Sequence, residues 1–162
     1  MGALARMKQV AVIGAAVCTD EEYRAAEQVG GSSRRPPSYP LLSRAWRGYG
    51  GISKGGTTVG IIPGISGENL YSGIVIRTGM GHAGNIILVQ SADAVIAIGG
   101  SYGTLSEIAA ALKMGKPVFG YHTWEIPGVV ACDTPDDAVI RAVGAGDPSL
   151  TCHTPRDGQE SQ

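Results

Sequence analysis

The chain has 162 residues, a formal net charge of −1, 43% hydrophobic residues and 17% charged residues. This length and balance predict one globular domain with a single core rather than a disordered chain. Only 6% of the residues are aromatic, and no overall basic excess is present, which argues against a nucleic-acid partner.

Cysteine spacing and hydropathy limit the metal sites, the compartment and the membrane segments that the sequence allows. Cys18, Cys132 and Cys152 are too widely spaced for a zinc or thioredoxin motif. A sparse, odd cysteine count favours a reducing compartment. No apolar run approaches the roughly 18 residues that span a bilayer, and the first apolar run is too short for a signal peptide. We expect a cytoplasmic protein with no membrane partner and no metal site.

Apolar runs alternate with helical patterns along most of the chain. Short β-branched runs bounded by glycine or proline are typical of strands buried on both faces. They predict strands at residues 9–14, 57–62, 74–76, 94–98 and 117–120. Helices are predicted at residues 20–29, 82–91, 105–114 and 138–143, the last of them capped by Asp133, Asp136 and Asp137.

This alternation indicates an α/β fold, a Rossmann-like parallel sheet with flanking helices and right-handed crossovers. We expect a single domain over residues 1–143, followed by a disordered polar tail at residues 144–162. In such sheets ligands lie beyond the carboxyl ends of the strands. That rule points to residues 14–16, 63–64 and 99–104.

Residues 31–50 interrupt the pattern. They hold four arginines and three prolines, with neither a strand nor a helix period, where the second strand should be. One interpretation is a long, solvated surface loop, although such loops are uncommon in compact domains. The other is a local frameshift, because codons can be chosen for residues 34–51 whose frame, offset by one base, encodes an apolar strand and a glycine-rich turn. In either case the sheet could lack its second strand.

A glycine-rich turn follows the clearest buried strand. Its candidate phosphate-binding residues are Gly99, Gly100, Ser101, Gly103 and Thr104. Gly14, which ends the first strand, is a further candidate. Glycine allows positive φ angles and close approach, and hydroxyls beside a helix N-terminus bind anions. Gly79 and His82 lie in another glycine turn, where His82 either contacts phosphate or only forms the turn or cap. Glu107 stands three residues after Thr104, which is also capping-box spacing.

Residues 91–107, together with residues 57–64 and 78–82, resemble the signature of the LOG (Lonely Guy) superfamily, and in particular its molybdenum-cofactor-carrier-like branch. The resemblance covers roughly residues 8–30 and 51–143. It implies a Rossmann-like homodimer or higher oligomer. It also implies a small nucleotide-like ligand, either a nucleoside monophosphate or the molybdenum cofactor, held through its phosphate.

The same resemblance implies an alternative activity. LOG enzymes are phosphoribohydrolases that cut the N-glycosidic bond of nucleoside 5′-monophosphates, using one arginine and one glutamate. Glu107 matches that glutamate as a catalytic residue, but the arginine position is Gly84, followed by Asn85. Gly99 replaces the motif's proline and Ser101 its second glycine. These departures favour binding over turnover.

A further glycine-rich turn of the family, expected within residues 38–52, is missing from the sequence. Its absence leaves a third hypothesis open, a degraded or mispredicted gene product without a function of its own.

Overall fold

The computed structural model describes residues 7–32, 40–43, 57–66 and 72–145. The strands in this part of the chain are β1 Val10–Gly14, β2 Leu41–Ser43, β3 Thr58–Ile62, β4 Ile74–Arg77, β5 Ala94–Ile98, β6 Val118–Tyr121 and β7 Val129–Ala131. The helices are α1 Asp20–Gly31, α2 Ala83–Ser91, α3 Tyr102–Lys113 and α4 Pro135–Gly144. The tail was expected at residues 144–162, but Gly144 is still the last residue of α4, because the helix continues one residue beyond its predicted end. Residues 146–162 lie outside the described residues.

The described strands form one parallel sheet in the order β4-β3-β2-β1-β5-β6-β7. Strand order runs outward in both directions from the neighbouring pair β1 and β5. Chain connections therefore diverge at that pair, and a crevice opens where the loops after β1 and β5 separate. The prediction of a Rossmann-like parallel α/β sheet with flanking helices is confirmed.

The sheet does not lack its second strand. Leu41–Ser43 pairs in parallel with both β1 and β3, and Val10 N–H donates to Pro40 O at 3.1 Å. Three residues are too few to show a period in the sequence. Pairing with β1 on one side and β3 on the other is what makes this segment a strand. The rest of the interrupted segment, residues 33–39 and 44–50, lies outside the described residues, as do residues 51–56. The frameshift hypothesis falls on these residues and stays a hypothesis.

Apolar side chains on the two faces of the sheet build two core clusters. Helices α1 and α4 cover one face, where Val29, Ile96 and Ala138 are buried together. Helices α2 and α3 cover the other face, where Leu88, Val95 and Ile108 are buried together. Successive side chains of β5 point to opposite faces of the sheet and so belong to the two clusters in turn. This explains why all five of its residues are buried.

Two helices, α3 and α4, begin three residues earlier than predicted, and the strand β7 was not expected. Helix α3 begins at Tyr102 instead of Thr104 or Leu105, because Ser101 already has the extended conformation of an N-cap. Thr134 caps α4, accepting from Asp137 N–H at 3.1 Å, so Asp136 and Asp137 are first-turn residues, Asp133 precedes the cap, and none of the three is the cap. Strand β7 was not predicted, since three apolar residues at a sheet edge carry no distinct pattern.

Among the described residues, no helix is both long and apolar enough to cross a membrane.

The central strand sets a quantitative expectation for stability. Ile96 of β5 is 1% exposed, and truncating a buried isoleucine to alanine costs about 2–5 kcal/mol through lost burial and a residual cavity. We expect Ile96→Ala to lower the free energy of unfolding by that amount in urea denaturation. The matched control is Ile140→Ala on α4, where the side chain is 47% exposed, and it should change stability by less than about 1 kcal/mol. Equal effects of the two substitutions would contradict this assignment of the core.

Candidate functional site

A cavity of about 390 Å³ lies in the crevice beyond β1 and β5. Its walls come from the end of β1, the loop after β3, the start of α2 and the first two turns of α3. The lining residues are Val12, Ile13, Gly14, Ala15, Ala16, Pro63, His82, Ser101, Gly103, Thr104 and Glu107. Its volume falls within the roughly 300–1,000 Å³ of small-molecule sites.

The cavity brings together most of the residues that the sequence singled out. Those that line it are Gly14, His82, Ser101, Gly103, Thr104 and Glu107. The three others, Gly79, Gly99 and Gly100, do not line it. Gly79 instead forms a left-handed turn with φ of 62° ahead of α2. Within residues 38–52, where the further glycine-rich turn was expected, the structure describes only residues 40–43, which include β2.

Two glycines redirect the chain from β5 into α3. Gly99 and Gly100 have φ angles of 51° and 111°, which residues with a side chain rarely adopt. A Cβ atom on Gly100 would lie 2.5 Å from Thr104 Oγ1, so the turn packs directly on the first turn of the helix. This contact explains why the turn needs glycine at that position.

The N-terminus of α3 opens into the cavity. Leu105 N–H donates to Ser101 O at 2.9 Å, the first bond of the helical pattern. The N–H groups of Tyr102, Gly103 and Thr104 precede it, and none of them meets an acceptor within the described residues. These N–H groups and the positive end of the helix dipole favour an anion.

Thr104 and Glu107 lie on successive turns of α3, and both line the cavity. Thr104 is 1% exposed, and its Oγ1 has no hydrogen-bond partner in the described structure. Leaving such a hydroxyl unpaired costs about 1–3 kcal/mol. Glu107 is 4% exposed. Because α3 begins at Tyr102, Glu107 lies in the second turn, and the alternative that it forms a capping box with Thr104 is wrong.

The capping box of this fold is in α1 instead. Thr19 N–H donates to Glu22 Oε2 at 2.7 Å, and Glu22 N–H donates to Thr19 Oγ1 at 3.2 Å. The other carboxylate oxygen of Glu22 accepts from Gly100 N–H at 3.2 Å. The spacing of Thr19 and Glu22 could have indicated the cap, but nothing in the sequence links Glu22 to the glycine turn. Among the described residues, Glu22 is thus a neighbour of the site that sequence reasoning missed.

The start of α2 forms the opposite wall. His82 is the N-cap residue, with helical φ and no side-chain capping bond. Gly84 is buried in the first turn of α2. A Cβ atom there would lie 3.4 Å from Thr78 Oγ1 and 3.7 Å from Pro63 Cα, which is ordinary contact. A side chain at residue 84 would thus emerge beside the cavity wall.

A second cavity, of about 480 Å³, lies near β6, β7 and the segment that joins them. Trp124 and Cys132 line it. Burial, reinforced by the charge of Asp137, raises the pKa of the Cys132 thiol to about 11, so the thiol stays protonated and unreactive at neutral pH. Trp124 packs against the α2–α3 core cluster. No helix of the described structure starts at this cavity, so the smaller cavity is the candidate site.

Comparisons with known proteins agree with this geometry. A model of the SLOG cluster4 family matches residues 43–145. An uncharacterised protein of Archaeoglobus fulgidus is 41% identical over 142 residues, which cover 83% of this chain and 93% of that protein.

Solved structures add two ligand-binding relatives. The molybdenum cofactor binding protein of Rippkaea orientalis is 29% identical, with a TM-score of 0.71, over 83% of this chain and 94% of that one. The molybdenum cofactor carrier protein of Chlamydomonas reinhardtii is 25% identical, with a TM-score of 0.73, over the same shares. The likeness extends over nearly the whole length of both proteins.

Two glycines of the turn provide a matched pair of substitutions. Gly100→Ala forces a Cβ atom against Thr104 at a positive φ, and we expect it to lower the free energy of unfolding by about 1–3 kcal/mol. Gly103→Ala meets no atom within 4 Å inside α3, and it should leave stability unchanged or raise it by up to about 1 kcal/mol. Urea denaturation of both variants tests this, and equal losses would refute the packing of the turn on the helix.

Proposed function

The chain belongs to the SLOG cluster4 family, and from this premise we propose that it is a binding protein for a small phosphorylated ligand. The ligand class is a nucleotide or a nucleotide-like cofactor, with the molybdenum cofactor as one candidate cargo. The phosphate would lie at the N-terminus of α3, and the remainder of the ligand would occupy the crevice between the loops after β1 and β5.

One observation carries this proposal. Thr104 lines a cavity into which the first N–H groups of α3 also open, and its buried hydroxyl has no partner among the residues that the structure describes. Phosphate oxygens are strong acceptors that satisfy several such donors at once. Reorientation of the Thr104 hydroxyl toward a bound phosphate would remove the cost of leaving it unpaired.

The relatives support the choice of ligand class. The proteins of Rippkaea orientalis and Chlamydomonas reinhardtii are described as a molybdenum cofactor binding protein and a carrier protein. A carrier must hold its cargo without altering it, and this agrees with glycine at residue 84, where LOG hydrolases have a catalytic arginine. Among the described lining residues none is lysine or arginine, so helix N–H groups and hydroxyls would supply most of the recognition.

Thr104→Val separates binding from folding. Valine has nearly the shape of threonine and removes only the unpaired hydroxyl, so we expect the melting temperature of the free protein to stay constant or rise. The affinity for AMP, used as the probe, should fall about tenfold through the lost bond to a charged phosphate. A thermal-shift titration with AMP and other nucleoside monophosphates measures both quantities. Unchanged AMP affinity in the variant would remove this hydroxyl from the site.

Glu107 favours a second candidate function, phosphoribohydrolysis of a nucleoside monophosphate. Its buried carboxyl group lines the same cavity, one turn along α3 from the proposed phosphate position. A carboxylate close to the ribose would stabilise the cationic transition state of glycosidic cleavage.

Product analysis separates the two functions. As a binding protein, the chain should release no adenine from AMP, and Glu107→Gln and Gly84→Arg should release none either. Adenine release that Glu107→Gln abolishes and Gly84→Arg increases would establish the hydrolase instead. Chromatography of the samples used for the thermal-shift titration gives this readout directly.

A homodimer is a further part of the proposal, with α3 as a candidate interface helix. Size-exclusion chromatography with light scattering gives the oligomeric state.

A further inference from the structure

The glycine turn already holds an anion that belongs to the protein. Glu22 Oε1 accepts a hydrogen bond from Gly100 N–H at 3.2 Å. A Cβ atom on Gly99 would lie 1.6 Å from the same oxygen, so the carboxylate rests directly on the Cα of Gly99. The positive φ angles of Gly99 and Gly100 place this part of the turn around the carboxylate.

Helix α1 fixes the position of that carboxylate. Its second oxygen, Oε2, accepts from Thr19 N–H at 2.7 Å within the capping box. Both oxygens are therefore bonded to backbone N–H groups, one in each of two loops. Because both oxygens are bonded, the Glu22 side chain is already ordered, and little further conformational entropy is lost in keeping it at the turn.

The backbone N–H groups of the turn therefore fall into two sets, those bonded within the protein and those that face the cavity. Gly99 N–H donates to Tyr121 O at 3.0 Å, and Gly100 N–H donates to Glu22. The remaining N–H groups, at the start of α3, face the cavity. In dinucleotide-binding Rossmann sites the glycine turn approaches a pyrophosphate closely, whereas here part of that approach is filled by a negative side chain.

We propose that Glu22 is a specificity-determining residue that restricts the site to ligands with a single terminal phosphate and rejects diphosphates. This inference rests on the proposed function. One phosphate would lie at the N–H groups of α3, and a second phosphoryl group that extended from there along the glycine turn toward Gly100 would meet the Glu22 carboxylate. Both the space and the charge at that position oppose it.

Glu22→Gln tests the charge with little change of shape. Glutamine also serves in capping boxes, so the fold of α1 should persist. The matched control is Glu21→Gln, which removes the same charge from the neighbouring residue. Glu21 pairs with His122 Nδ1 at 2.9 Å and is not among the residues that bond the glycine turn.

Isothermal titration with AMP and ADP, and with inorganic phosphate and pyrophosphate, gives the ratio of affinities for one and two phosphates. We expect the wild-type protein and Glu21→Gln to prefer the monophosphate by about tenfold. Glu22→Gln removes the charge but not the bulk, so it should gain affinity for the diphosphate and lower the ratio by several-fold. Glu22→Ala removes both the charge and the bulk and should bring the ratio close to one, and circular dichroism checks that each variant is folded.

The outcomes separate the two proposals. Binding of AMP with the same ratio in the wild-type protein and Glu22→Gln would overturn the role of Glu22 and leave the proposed function standing. An equal change in Glu21→Gln would also overturn it, because the effect would then come from overall charge. Failure of all four probes to bind any folded variant would overturn the proposed function and this inference together.

Discussion

The reversal of backbone direction at Gly99 and Gly100 is the constraint on which the rest of the site depends. Strand β5 is buried along its whole length, and α3 must return over one face of the sheet. Two left-handed residues make this reversal within a very short turn. As a result, the first turn of α3 points at the crevice beside β1, and its N–H groups have no acceptor in the described part of the chain. An anion site is therefore a direct consequence of how the strand connects to the helix.

Packing around this turn explains why glycine stands at positions 99 and 100. Thr104 rests against Gly100, and Glu22 rests against Gly99. The two contacts approach the turn from different elements, α3 and α1, and together they leave no room for larger residues at positions 99 and 100. The capping box in α1 thus contributes twice, because it begins a helix and also holds the carboxylate that occupies part of the turn.

Most of the sheet and half of the site could be predicted from the sequence. Buried strands such as β1 and β5 have continuous apolar runs bounded by glycine, which few other structures explain. The rule that ligands lie at carboxyl ends correctly indicated that the loops after β1, β3 and β5 meet around one cavity. Strands β2 and β7 could not be predicted, because three residues carry no period and their pairing depends on neighbours distant in sequence.

The sequence by itself determined the α/β class, the order of the main elements and the glycine turn that begins α3, because each of these follows from local periodicity and backbone preference. Only the tertiary structure decided which N–H groups of the turn bond to Glu22 and which face the cavity. Glu22 and Gly100 are 78 residues apart in the chain, and Thr104 becomes an unpaired buried hydroxyl only once α3 is packed on the sheet. Hydrogen bonds between distant segments and the exclusion of water from a crevice are properties of the folded chain. No pattern of neighbouring residues encodes them.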